Sequence, residues 1–154
     1  APGDPLRHIA WRLSAKSDEL LVKEFEKVVN CDVTIALNLD PAIHVGAPEA
    51  STWESARDAA LALVAQQLEL GNSLELAVNG SIIERGAGKD RSLLIGKAIA
   101  DVDVTGAEAP KDAPHPLRLC EGRLVPGMAL FYIAPFHERD RREAALRLKA
   151  FAAR

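Results

Sequence analysis

Asp32-Val33-Thr34-Ile35-Ala36-Leu37-Asn38-Leu39-Asp40-Pro41 is the stretch that decides the fold class. Val33, Ile35, Leu37 and Leu39 are apolar, and the positions between them include Thr34 and Ala36. A run with few polar residues on either alternation reads as a strand buried on both faces, the central member of a sheet covered by helices. Asp40-Pro41 ends it, because proline has no N–H to donate to a ladder.

Working outward toward the C-terminus, Ser51-Thr52-Trp53-Glu54 matches a capping box. Ala56, Ala60, Leu63, Val64, Gln67 and Leu68 follow at helical spacing, and Gly71 supplies a stop. Asn79-Gly80 between Leu74–Val78 and Ser81–Glu84 is a strong hairpin signal, because both residues tolerate positive φ. Its Asn79-Gly80-Ser81 sequon fits a tight turn better than a glycan. Gly86-Ala87-Gly88 reads as a loop, and Asp90 as the cap of a helix running to Val102 with Leu94, Ile95, Ala98 and Ile99 on one face. Thr105–Gly127 holds four prolines and reads as a long loop with a short strand near Leu117–Cys120. Met128–Ala134 reads as a second buried strand stopped by Pro135. His137–Arg154 reads as a helix whose apolar face includes Ala144, Ala145, Leu148, Phe151 and Ala152. Toward the N-terminus, Leu20–Val28 favours a strand through Val22 and Phe25.

This alternation predicts an α/β protein, a three-layer sandwich around a mostly parallel sheet with one antiparallel strand from the hairpin. Ligands of such sheets sit beyond the carboxyl ends of the strands, which singles out the loops 40–50, 86–90 and 135–138.

The 154 residues suffice for one domain, with 48% hydrophobic and 27% charged content. A net charge of −3 argues against nucleic-acid binding through bulk positive charge. Cys31 and Cys120 form no spaced framework, which suits a reducing compartment, and no apolar run approaches the ~18 residues of a membrane span.

Few motifs carry chemistry. Gly86-Ala87-Gly88-Lys89-Asp90 sits where a phosphate loop would, but Ile83 replaces the first Walker glycine and Asp90 the hydroxyl residue that would hold magnesium. There is no Gly-x-Ser-x-Gly, and neither cysteine has a histidine in a recognisable signature. His8, His44, His115 and His137 lack the i, i+4 spacing of helical zinc sites. His115 and Cys120 read as an incidental pair.

The N-terminal segment is more distinctive. Pro2-Gly3-Asp4-Pro5, Arg7, Ile9, Trp11 and Ser14-Ala15-Lys16, followed by Leu20-Leu21-Val22-Lys23-Glu24-Phe25-Glu26, resemble the signature of the bacterial domain of unknown function 58 family. The match covers about a sixth of the chain. The family is related to von Willebrand factor A-like (Rossmann-like) domains, and the elements above follow their order. The resemblance implies a family-signature arm over 1–28 and a von Willebrand factor A-like domain over 29–154. Physically, Arg7 can hold Asp4 or Glu26, and Trp11 offers a large apolar body with one donor, so Asp4, Arg7 and Trp11 are candidates for a structural clasp or a partner contact.

Von Willebrand A-like domains often begin a metal-ion-dependent adhesion site with Asp-x-Ser-x-Ser after the first central strand. Here the matching residues are Asp40-Pro41-Ala42-Ile43-His44, and only Asp40 keeps a hard oxygen ligand. Asp40 is therefore expected to be the remnant of a degenerate site, with no metal and no cofactor.

The resemblance further implies a fragment of a longer, membrane-anchored protein, itself spanning no membrane and facing the cytoplasm at the inner membrane. The expected function is a non-enzymatic protein-interaction module whose partner is a MoxR-type AAA+ ATPase. The alternatives are a metal-dependent hydrolase using Asp40, His44 and His137, and a purely structural domain.

Overall fold

The computed structural model describes residues 30–47, 50–78, 80–102 and 113–153. The strand expected over Leu20–Val28, and Asp4, Arg7 and Trp11, lie outside them. In chain order the elements are β1 (Asp32–Leu37), α1 (Thr52–Glu69), β2 (Ser73–Val78), β3 (Ser81–Gly86), α2 (Lys89–Ala100), α3 (Pro116–Leu119), β4 (Ala129–Ile133) and α4 (Glu138–Ala152), with a 3-10 turn at Pro41–Ile43.

The sheet order is β3-β2-β1-β4. β1 pairs parallel with both β2 and β4, and β2 pairs antiparallel with β3 across a two-residue connection in which Gly80 takes φ +84°. β1 is central, as its doubly apolar sequence requires. On one face Val33, Ile35, Leu37, Leu74, Leu76 and Val78 join Trp53, Ala56, Ala60 and Val64 of α1 and Ile95 and Ile99 of α2 in the main core. Burying each of the larger aliphatic side chains contributes about 1.5–3 kcal/mol before the entropy of ordering is subtracted. On the other face Ala36 and Ala77 meet Leu117, Cys120 and Ala144 in a second, smaller cluster. Helices thus cover both faces, which makes three layers.

Helix α1 begins where its cap demands: the Glu54 amide donates to Ser51 Oγ at 3.2 Å. The Glu54 carboxylate turns to Arg57, whose guanidinium lies 4.6 Å from the centroid of the buried Trp53 ring.

Four sequence expectations need correction. The expected strand over Leu117–Cys120 is instead the helix Pro116–Leu119 with Cys120 as its C-cap, because Pro116 starts a turn and the His115 ring caps it by accepting from the Leu117 amide, a tertiary fit that overrides strand propensity. Helix α2 starts at Lys89 with Gly88 (φ +88°) as its N-cap, so Asp90 lies inside its first turn and Gly86 belongs to β3. β4 is an edge strand rather than a buried one: its pattern is half-buried and Phe131 is 37% exposed. In α4 the inward stripe is Asp140, Ala144 and Phe151, while Ala145, Leu148 and Ala152 face solvent, because α4 lies on a small-residue patch that only a narrow stripe can reach.

Candidate functional site

The neighbouring parallel strands β1 and β4 leave the sheet at the same edge, so the segments that follow them share that edge. Two polar side chains from later in the chain, Tyr132 and Asp140, converge there on Asn38, the first residue after β1, and His115 joins them. By strand alternation Asn38 continues the Thr34–Ala36 face, and its carboxamide points under the sheet toward α4. Asn38 Nδ2 donates to Asp140 Oδ1 at 2.6 Å and lies 3.2 Å from Tyr132 Oη. The Tyr132 hydroxyl donates to the same Asp140 oxygen at 2.5 Å, and His115 Nε2 reaches it at 3.1 Å.

The His115 tautomer follows from its other nitrogen. Nδ1 accepts from the Leu117 amide at 3.2 Å, so a neutral ring carries its proton on Nε2 and donates it between Asp140 and Tyr132. Burial alone would raise the Asp140 pKa, but donors from His115, Tyr132 and Asn38 outweigh it and hold the carboxyl below its ordinary range. Tyr132 moves the other way, its hydroxyl made harder to ionise first by burial and then by the bond to Asp140. The cluster is a carboxylate held charged inside the protein by three neutral donors. It joins the end of β1 to β4, α4 and the start of α3.

Above this cluster the loop after β1 is folded back on itself. Asp40 is exposed, takes the Asn38 side-chain oxygen onto its amide at 3.1 Å, and caps the 3-10 turn by accepting from the Ala42 amide at 2.9 Å. His44 Nε2 donates to the Asn38 carbonyl at 2.9 Å, which leaves Nδ1 to accept from the Thr52 hydroxyl at 3.2 Å. The Val45 amide donates to Thr52 Oγ1 at 3.0 Å, and the Thr52 amide to the Val45 carbonyl at 2.9 Å. Gly46 permits the reversal: its φ is +111°, and a Cβ there would stand 2.7 Å from the Ala50 carbonyl oxygen.

Of the residues singled out in the sequence, Asp40 and His44 share this loop, and His137 is the N-cap residue of α4 at the same edge. Among the described residues no group of three or more His, Cys, Asp or Glu side chains could hold a metal ion. Both ring nitrogens of His44 are committed to the loop. His115 bonds to Tyr132 and Asp140, while the buried Cys120 donates its thiol to the Pro116 carbonyl. Sequence reasoning missed Asn38, His115, Tyr132 and Asp140 as a set. Alternation along β1 could have turned Asn38 inward, and the i, i+4 relation to Ala144 could have done so for Asp140. Nothing local marks His115.

Two large apolar side chains stand in solvent on this edge: Val45 at 68% exposure in the loop after β1, and Phe136 at 87% in the segment after β4. The Arg141 guanidinium lies 5.3 Å from the Phe136 ring centroid.

The family model described as "Protein of unknown function DUF58" matches residues 1–113. The chain belongs to the DUF58 family. That span takes in the signature arm, β1 to β3 and both helices of the main core, whereas His115, Tyr132 and Asp140 lie beyond it. No curated protein and no solved structure matches the chain. Among the described residues of this DUF58 domain, no helix is long and apolar enough to cross a membrane.

Proposed function

We propose that this DUF58 domain is a non-enzymatic protein-interaction module of the von Willebrand factor A-like kind, which works with a MoxR-type AAA+ ATPase at the cytoplasmic face of the inner membrane. One observation carries the reading. At the strand ends Asn38, His115, Tyr132 and Asp140 are bonded to one another, while Val45 and Phe136 are held out to solvent on the same edge. Asp140 Oδ1 already accepts three donors and both ring nitrogens of His44 are bonded, so neither group is free for a small polar substrate. An aromatic side chain and a valine on a pre-folded loop suit a protein partner, for which a few exposed anchors dominate the binding energy. The resemblance of the N-terminal segment supplies the class of partner.

Pull-down of the ATPase by the full-length protein tests this. Val45→Ser and Phe136→Ser should each reduce recovery several-fold with the melting temperature near wild type. Arg7→Ala and Trp11→Ala should do the same if the arm contacts the partner, whereas a large fall in melting temperature would assign them to a clasp. Undiminished recovery in all four variants, or turnover of a small molecule by the purified protein, overturns the proposal.

A further inference from the structure

Helix α2 has two working faces. Ile95 and Ile99 are fully buried against the sheet. Lys89, Ser92, Leu93, Gly96, Lys97 and Ala100 recur at helical spacing along its flank and, with Leu61 of α1, line an open groove of about 690 Å³. Gly96 keeps the groove wide: a Cβ there would meet only the Leu61 side chain, at 4.0 Å. Leu93 is 81% exposed in its wall, an apolar side chain that folding leaves in water.

The charge in the groove is of one sign. Lys89 and Lys97 both line it, no lining residue is acidic, and among the described residues neither lysine pairs with a carboxylate. This contrasts with a chain whose net charge is −3 and whose described arginines often pair with acids. Eight residues separate the two lysines, about 12 Å along a helix axis.

We infer that the groove between α1 and α2 binds an acidic amphipathic helix of a partner protein. A helix laid alongside α2 would set an apolar side chain against Leu61 and Leu93 over Gly96, and two carboxylates about eight residues apart against Lys89 and Lys97. Contact area comes from the leucines, and orientation and encounter rate from the lysines. The inference rests on the reading of the domain as an interaction module, but it uses the flank of α2 rather than the strand-end loops.

The test uses the 154-residue chain and a fluorescein-labelled helical peptide with two glutamates eight residues apart flanking a leucine. A second peptide carries lysines in place of the glutamates. Fluorescence anisotropy should show the acidic peptide binding, and binding that weakens as salt is raised. The exposed double substitution Lys89→Glu with Lys97→Glu should weaken the acidic peptide by at least about tenfold. The same variant should gain binding of the lysine peptide, a charge swap that unfolding cannot mimic. Equal binding of the acidic peptide by both proteins, or none at millimolar peptide, overturns the inference. So does a dimer in sedimentation that only the double substitution dissolves, which would give the groove to a second copy. Because the ATPase pull-down reports on Val45 and Phe136, failure here leaves that result standing and the two proposals fall separately.

Discussion

Tyr132, on the edge strand β4, donates a hydrogen bond from its hydroxyl to Asp140, in the first turn of α4, at 2.5 Å. The bond closes the short connection between strand and helix from the inside. With Asn38 and His115 added, one buried carboxylate fixes four segments of the chain.

Removing the phenol should therefore cost more than a surface hydrogen bond. Tyr132→Phe leaves a buried charged acceptor short of a donor, and the expected loss is about 1.5 kcal/mol. Asp140→Ala removes the common acceptor and should cost about 3 kcal/mol, since the buried Asn38 and the half-buried His115 and Tyr132 lose it together. Urea denaturation followed by circular dichroism measures both. A loss below about 0.5 kcal/mol for Asp140→Ala would mean water replaces the carboxylate freely.

The same carboxylate sets an acid limit. Its pKa is lowered on folding, so the folded protein binds the Asp140 proton less readily than the unfolded chain does. Its contribution is full above the unfolded value near 4 and is lost as the pH falls through the lower folded value. Stability measured from neutral pH downward should fall in that window. Asp140→Asn, already less stable at neutral pH, should show a shallower acid limb, and identical limbs would contradict the assignment.

On the opposite half of the sheet Glu75 is buried at 2% exposure in β2, with Arg123 donating to it at 2.7 Å and to Glu84 at 2.6 Å. Arg123→Ala would strand that charge and should cost about 3 kcal/mol. Replacing Glu75 by Gln as well should recover much of the loss. If the double variant is no more stable than the single one, Arg123 acts through packing alone.

Beside this pair the Cys120 thiol is pushed up to about 12, first by burial and then by the Glu75 charge. It should resist an aromatic disulfide reagent at pH 8 in the native protein and react at full rate in denaturant, because the thiolate is the reacting form. Cys120 labelling as fast as a free thiol under native conditions would show that its cover opens.

Gly46 is the position where the strand-end loop tolerates least. A methyl group meets both a positive φ and the Ala50 carbonyl, so Gly46→Ala should cost about 1–3 kcal/mol and lower ATPase recovery together with Val45→Ser. Unchanged stability and recovery would mean that this loop neither holds its shape nor docks.

Much of the fold was legible because its signals are local and repeated. The doubly apolar run of β1, the Ser51 cap and the Asn79-Gly80 turn each point to one conformation, and together they give the sheet and its antiparallel member. The failures are tertiary. Leu117 and Leu119 look like strand residues until the prolines around His115 and the small-residue patch of Ala36 and Ala77 are considered together. The site was read least well, because its four members lie up to 102 residues apart and owe their meeting to the parallel pairing of β1 with β4. Asp40 drew attention as a carboxylate after a strand, yet the chain leaves the sheet two residues earlier, and the inward position falls to Asn38.

The pairing of β1 with β4 also bears on where the polypeptide can be cut. The stretch recognised by family membership stops at residue 113, ahead of α3, β4 and α4. A protein trimmed there would turn its most deeply buried strand into an open flank, with Asn38 deprived of Asp140 and the underside of the sheet stripped to water. Residues 1–113 alone therefore lack partners that β1 and Asn38 need, and their expression should yield a sticky, partly ordered product.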